Sequence, residues 1–339
     1  MAKNMKSRNL KLNGENFFIR PYDPEKDEQK VIDLWKKVFF NEMPLELWRW
    51  KYIDNPYETE IIICENEKGL PLVLYGGVPF KSGYCGREII MIHLSDIMSH
   101  PDYRGSGLFI HTANAYFDIF GGKNDTFVMY GFPGKYHFDI GRKYLQYSGI
   151  GKGAYYFAGS TVRISDNNVF TQGQIARITR PDLCFDMIWQ NLSNDYPLSV
   201  IRDSAYMKWR FFDNPDNNYE VWCFKSDVKA EYEAYMVILI KEKKAVIVDF
   251  LIPGSGPKSE IFSNFIGRMA GMLLDKGIKK IETWVPGDHF SADKLHQSGF
   301  THKNEPIGII PTIRMFDDSV KTSWACDNIF YTMGDGDLM

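Results

Sequence analysis

The residues best spaced for chemistry form one run, Ser99-His100-Pro101-Asp102-Tyr103-Arg104-Gly105-Ser106-Gly107-Leu108. The stretch before it, 89–99, is apolar and β-rich, which predicts a strand. Pro101 ends that strand, because proline has no N–H to give and pushes its predecessor toward extended geometry. From Leu108 onward, Ile110, Ala113, Tyr116, Phe117 and Phe120 return at helical spacing and predict a helix over 108–120. A helix entered through two glycines exposes N–H groups that a ligand can approach closely, with the positive end of the helix dipole behind them. Arg104 adds a fixed cation. A diphosphate is the natural guest of such a loop. The chain lacks the Gly-Lys-Ser/Thr of a nucleotide P-loop, and Gly105 and Gly107 alone do not complete GxGxxG.

In this strand–loop–helix context the run resembles the acyl-CoA-binding motif V-x-P-x-Y-R-G-x-G-(I/L) of the GNAT superfamily of N-acetyltransferases. Matched residue by residue, the resemblance gives Arg104, Gly105, Ser106, Gly107 and Leu108 the task of holding the coenzyme A pyrophosphate. Ser99 stands where valine is usual, and Phe109 where glycine or alanine is common. The fold it implies is α/β (mixed α+β), a largely antiparallel central sheet flanked by helices. Acetyl-CoA is the implied co-substrate, with no metal.

Stepping outward, the elements needed to position this loop can be read in order. FFIRPY (17–22) predicts a strand, and Asp23-Pro24 opens a helix to residue 40 with Val31, Leu34, Trp35 and Val38 on one side. A second helix, LELWRWKYIDNP, ends before Pro56; strands follow at 60–64 and 72–78, and after the central motif at 126–132. A helix around 136–144 and a strand at 155–158 complete the first half. The order then repeats. WKYIDNP (50–56) is echoed by WRFFDNP (209–215), with four of seven positions identical, and Asp96 and Pro133-Gly134 recur as Asp249 and Pro286-Gly287 at the same offset of 153. Two copies of one fold are expected: residues 1–160 as the acyl-CoA-binding catalytic domain and 161–339 as a degenerate GNAT-like copy. The second copy carries Pro253-Gly254-Ser255-Gly256-Pro257-Lys258 in place of the loop, without an arginine and with a proline that removes an N–H.

Acyl transfer from a thioester to an amine needs a neutral amine, a donor for the oxyanion and a way to stabilise the leaving thiolate. It needs no protein nucleophile, in keeping with the lack of a Ser-His-Asp or Cys-His pattern. The resemblance places the oxyanion donor on the backbone of the strand before the loop, at Met98 or Ser99. Strict alternation sets His93, Ser95, Ile97 and Ser99 on one face and Leu94, Asp96 and Met98 on the other, unless a bulge intervenes. His93, a side chain that titrates near neutrality, is the candidate base, and Asp96 could hold the amine or orient a water. A hydrogen-bonded structural role competes for both. In the family a tyrosine in a Y-x-x-x-G-F setting often protonates the thiolate. Here Arg142 falls in that slot, so Tyr136 is assigned, with Tyr144 its neighbour.

The totals frame the class. The chain has 339 residues, 44% of them hydrophobic and 24% charged, which is globular composition. A net charge of −3 offers no basic field for nucleic acid. No apolar run reaches membrane-spanning length. Five widely spaced cysteines without CxxC read as reduced thiols and point to the cytoplasm. The basic N-terminus and the acidic C-terminus (333–339) both read as solvated tails, the latter without the ligands of a calcium loop. The expected activity is N-acetylation of a small-molecule primary amine. The alternative is a non-catalytic acyl-CoA sensor or scaffold.

Overall fold

The computed structural model describes residues 7–122, 126–151, 155–167, 173–254 and 260–336. The first half runs β1 (Arg8–Leu12), β2 (Glu15–Pro21), α1 (Pro24–Phe39), α2 (Leu45–Tyr52), β3 (Glu60–Asn66), β4 (Pro71–Tyr84), β5 (Arg87–Leu94) and β6 (Met98–Ser99). It continues with α3 (Leu108–Phe120), β7 (Thr126–Gly131), α4 (Lys135–Tyr144), β8 (Ser148–Gly149) and β9 (Tyr155–Ser160). Then come α5 (Thr161–Asn167), β10 (Gln174–Ile178), α6 (Cys184–Leu192), β11 (Leu198–Val200), α7 (Ser204–Met207), β12 (Glu220–Lys225), β13 (Ala234–Lys241) and β14 (Lys244–Leu251). The chain closes with α8 (Ile261–Asp275), β15 (Lys280–Val285), α9 (Phe290–Gln297), β16 (Thr301–Lys303), β17 (Thr312–Met315) and α10 (Thr322–Asn328). Among the described residues no helix is long and apolar enough to cross a membrane.

These elements form two mixed sheets flanked by helices. One has the order β1-β2-β3-β4-β5-β7-β17-β8, with β6 and β11 also paired to β4; the other runs β10-β12-β13-β14-β15-β9-β16. Each contains one parallel pair, β5 with β7 and β14 with β15, in an otherwise antiparallel ladder. The two sheets trade strands. β9, expected to close the first half, lies between β15 and β16 of the second sheet, and β17 lies between β7 and β8 of the first.

Local sequence explains the elements nearest the site. The Asp23 carboxylate accepts the Glu25 N–H to cap α1, and Pro24 needs no acceptor at the first helical position. α1 buries Val31 and Leu34, and α2 buries Trp48, Trp50 and Tyr52. The echoing tryptophans meet. The Trp50 indole N–H donates to the Trp209 carbonyl at 2.9 Å, the Trp209 N–H donates to the Trp50 carbonyl at 3.0 Å, and the rings stack at 5.0 Å.

Both terminal expectations need correction. Residues 8–12 form a strand, because Asn13 (φ 52°) and Gly14 (φ 87°) supply the turn that folds β1 back on β2. At the other end, Asp335 is 5% exposed and held by Arg202, so the described part of the acidic tail is built into the protein. Residues 337–339 lie outside the described residues.

Candidate functional site

The first sheet opens beyond His93 and Tyr130, the last paired residues of the parallel β5–β7 ladder. A cavity of about 400 Å³ lies at that opening. Neighbouring residues of β7 face opposite ways there: Tyr130 belongs to the core cluster on the α2 side, and Met129 to the cluster on the α3 side. The cavity therefore has walls on both faces of the sheet, from Trp35 and Phe39 of α1 to His137 of α4 and Tyr147.

A bulge sets what faces it. β4 pairs Gly77 with Leu94 but Leu74 with Met98, so the outer strand carries one extra residue between them. Asp96 takes up the slack with φ 52°. Strict alternation would put His93 and Asp96 on opposite faces; the bulge brings both to the cavity wall. The His93 ring is buried and stacks on Tyr130 at 5.1 Å. Asp96 Oδ2 accepts from Lys51 Nζ at 2.5 Å and from the Tyr52 hydroxyl at 2.6 Å, and the same hydroxyl lies 3.0 Å from Ser95 Oγ. Lys51 and Tyr52, between the core tryptophan Trp50 and the end of α2, thus hold the bulge from the α2 side.

Past the bulge, the His100 N–H donates to the Leu72 carbonyl at 2.7 Å. By the alternation of an antiparallel ladder this turns the Met98 N–H toward β4 and leaves the amides of Ile97 and Ser99 on the open side. The Met98 side chain is buried in the core. Ser99 Oγ is buried without a hydrogen-bond partner among the described residues.

The glycine loop is exposed at Arg104 and Gly105. Gly105 (φ 79°) and Gly107 (φ 92°) both occupy the left-handed region, which a residue with a Cβ enters only under strain. Gly107 caps α3 without a side-chain acceptor. The amides of Gly105, Gly107, Phe109 and Ile110 have no hydrogen-bond acceptor among the described residues. Ser106 braces the turn, donating its hydroxyl to the Tyr103 carbonyl at 2.6 Å and receiving the Leu108 N–H at 3.4 Å. Leu108 is fully buried and anchors the helix start. Phe109 does not roof the loop; its ring turns inward onto Tyr75 and His137. The loop residues do not line the large cavity themselves, and Phe109 spans the distance between them and His137.

Tyr136 is 78% exposed and stands outside the cavity wall, because it occupies the solvent side of the first turn of α4. The next residue, His137, faces in. Burial pushes its imidazole down to about 4, so the ring is neutral at ordinary pH. Tyr147 is buried, its hydroxyl 2.5 Å from that of Tyr75, and burial raises it to about 12. Arg314 reaches the same wall from β17, stacked 3.9 Å over the Phe117 ring. Nothing in the local sequence marks Arg314, since its position depends on the strand exchange.

The second sheet opens in the same way, with β14 and β15 pairing only as far as Val246 and Glu282. Here the chain's own end fills the gap. Gly334 lies against Asp249 and Val248, and Arg202 bridges the carboxylates of Asp249 (3.1 Å) and Asp335 (2.5 Å). Thr332 and Tyr235 hydroxyls complete the bonding of Asp249, at 2.7 and 2.6 Å. The counterpart loop at 255–258 lies outside the described residues.

No family model and no curated protein matches the sequence. Solved structures do match. A protein of Enterococcus faecalis described as a probable N-acyltransferase aligns over 88% of this chain and 73% of its own, with TM-score 0.65 and 15% identity. A GCN5-related N-acetyltransferase from Anabaena variabilis aligns over 89% and 73%, with TM-score 0.64 and 14% identity. N-myristoyltransferase of Saccharomyces cerevisiae, solved with myristoyl-CoA, aligns over 92% and 86%, with TM-score 0.55 and 8% identity. At these identities the likeness is one of architecture, and the architecture is the GCN5-related N-acetyltransferase fold.

Proposed function

We propose that the protein is an N-acyltransferase that moves an acetyl group from acetyl-CoA to a small-molecule primary amine by direct attack in a ternary complex. The observation that carries this reading is the pairing of a sheet splayed at His93 and Tyr130 with a helix entry whose amides are unsatisfied and flanked by Arg104. Arg104 and the amides from Gly105 to Ile110 would hold the pyrophosphate. The amides of Ile97 and Ser99 would face the developing oxyanion, a change from Met98 that follows from the ladder's alternation. His93 would take the ammonium proton, with Asp96 and its Lys51–Tyr52 brace fixing the strand beside it. Since Tyr136 points to solvent, the neutral ring of His137 would offer the leaving thiolate a hydrogen bond, and the thiolate would take its proton from solvent.

We also propose that residues 1–160 and 161–339 are two copies of one fold, the second without chemistry because Gly334 and Asp335 occupy its opening. The matched parallel pairs, the reciprocal Trp50–Trp209 bonds and the mutual strand exchange support this. A cytoplasmic location follows from the cysteine pattern. The rival reading, an acyl-CoA sensor, draws on Arg142 in the family's tyrosine slot and on the outward Tyr136. Free-thiol release from acetyl-CoA across an amine panel, beside calorimetric binding, separates the two. Tight binding without turnover on any amine would favour the sensor.

A further inference from the structure

Arg314 brings a charge to the large cavity that no neighbour neutralises. Among the described lining residues no other lysine or arginine is present. On β17 it pairs with Met129 of β7, so it projects to the α3 face of the first sheet. There its guanidinium lies 3.9 Å over the Phe117 ring and 4.9 Å over that of Phe316. Nη1 donates to the Leu145 carbonyl at 3.0 Å, and Nε is buried with no hydrogen-bond partner among the described residues. Burial pulls the guanidinium below its usual range, against the Tyr75 and Tyr147 phenols and Asp118. None of the three is a counterion. Burial keeps both phenols protonated, and Asp118 is bonded to Arg8 at 3.0 Å. Asp96, the only carboxylate among the described lining residues, is held by Lys51 and Tyr52. An arginine stays charged at any working pH, and a half-buried cation without a counterion carries a desolvation cost that an anionic ligand offsets.

The planar fork of a guanidinium fits a carboxylate or a phosphate. The coenzyme phosphates are assigned to the glycine loop, whose residues lie outside this cavity. An anion inside the cavity therefore belongs to the reacting groups. We infer that Arg314 binds a carboxylate carried into the cavity by one of the two substrates. Its source is either the free end of a dicarboxylic acyl group on the donor or the carboxylate of an amino-acid acceptor. This rests on the acyl-transfer reading, and the donor source would put a dicarboxylic acyl group in the place of acetyl.

Two comparisons on the full chain separate the sources. Succinyl-CoA against acetyl-CoA, by calorimetry, tests the donor. Phenylalanine against phenethylamine and lysine against cadaverine, by thiol release from acetyl-CoA, test the acceptor. In one arm the carboxylate-bearing member should lead by about tenfold or more in Kd or kcat/KM, the scale of a charge-assisted hydrogen bond. Arg314→Met keeps an unbranched stem over Phe117 and should erase that lead without changing the Kd of coenzyme A itself. Arg314→Lys keeps the charge but loses the fork, and should reduce the lead severalfold. No lead in either arm overturns the inference on the parent protein alone, while turnover of any amine keeps acyl transfer standing. A lead that survives Arg314→Met overturns it as well, and so does an equal loss of affinity for coenzyme A, which makes a phosphate the partner of the guanidinium. Should Arg314→Met not fold, Arg314→Lys decides, and an undiminished lead overturns the inference. Should no amine release thiol, the transfer reading fails, and calorimetry of the same amines on the protein loaded with acetyl-CoA decides the acceptor arm by the same criteria.

Discussion

Replacing Glu60 with glutamine should remove a pH-dependent penalty from the first sheet. Glu60 opens β3 opposite Gly77, which in turn pairs with Leu94 where β5 ends. Its Oε2 is buried without a partner among the described residues, and burial, with a smaller push from Glu58, raises the carboxyl from 4.5 to about 7. Between those values the folded protein keeps a proton that the unfolded chain has released. The contribution is therefore fully present below pH 4.5 and is lost as pH rises through 7, by about 3 kcal/mol at 1.36 kcal/mol per unit of pH. Denaturant unfolding of both proteins between pH 5 and 8.5 measures it. Any fixed cost of the new amide cancels when the difference between variant and parent is followed with pH. That difference should move in favour of Glu60→Gln by about 2.5 kcal/mol from pH 5 to 8, since part of the change already lies below pH 5. A difference that stays constant across the range would refute the assignment of a neutral buried carboxyl.

Arg104→Ala should weaken acetyl-CoA binding by roughly 1.5–3 kcal/mol by calorimetry, with Tm unchanged because the side chain is exposed. Gly107→Val should cost about 1–3 kcal/mol of stability in denaturant unfolding, since φ 92° is strained for a β-branched residue, and should also abolish coenzyme binding. The His137 imidazole should show no titration by NMR above about pH 5; its contribution to stability, present above 6.5, is lost as pH falls through about 4. Trp50→Phe leaves the Trp209 carbonyl without its buried donor and should cost about 1–3 kcal/mol, and a double-mutant cycle with Trp209→Phe should show coupling.

How much of this was legible depended on how local each cause is. The loop at 104–107 was readable because two glycines, an arginine and a helix start are adjacent in sequence and their geometry is backbone geometry. The Asp23-Pro24 cap of α1 was readable for the same reason. The shared face of His93 and Asp96 was not, since one extra residue at the bulge reverses the alternation and no side chain announces it. Tyr136 and His137 differ by one position on α4, and only the packing of Phe109 and Tyr147 decides which of them faces in. Lys51 and Tyr52 carry no local signal of their partner, since Asp96 lies more than forty residues away in sequence. Arg314 enters the site through long-range strand pairing, which periodicity cannot express.

The mutual insertion of β9 and β17 bears on how the protein comes off the ribosome. The slot between β7 and β8 stays vacant until the segment holding Thr312–Met315 has been made, and β9 waits for β15 and β16. Neither half can reach its native sheet by itself, so cutting the chain near residue 160 should yield two aggregation-prone pieces, each missing an inner strand. Co-expressed, those pieces hold everything required to complement each other. Assembly of this fold is thus a late, all-chain event, with heavier demands on chaperones than two independent domains of the same length would make.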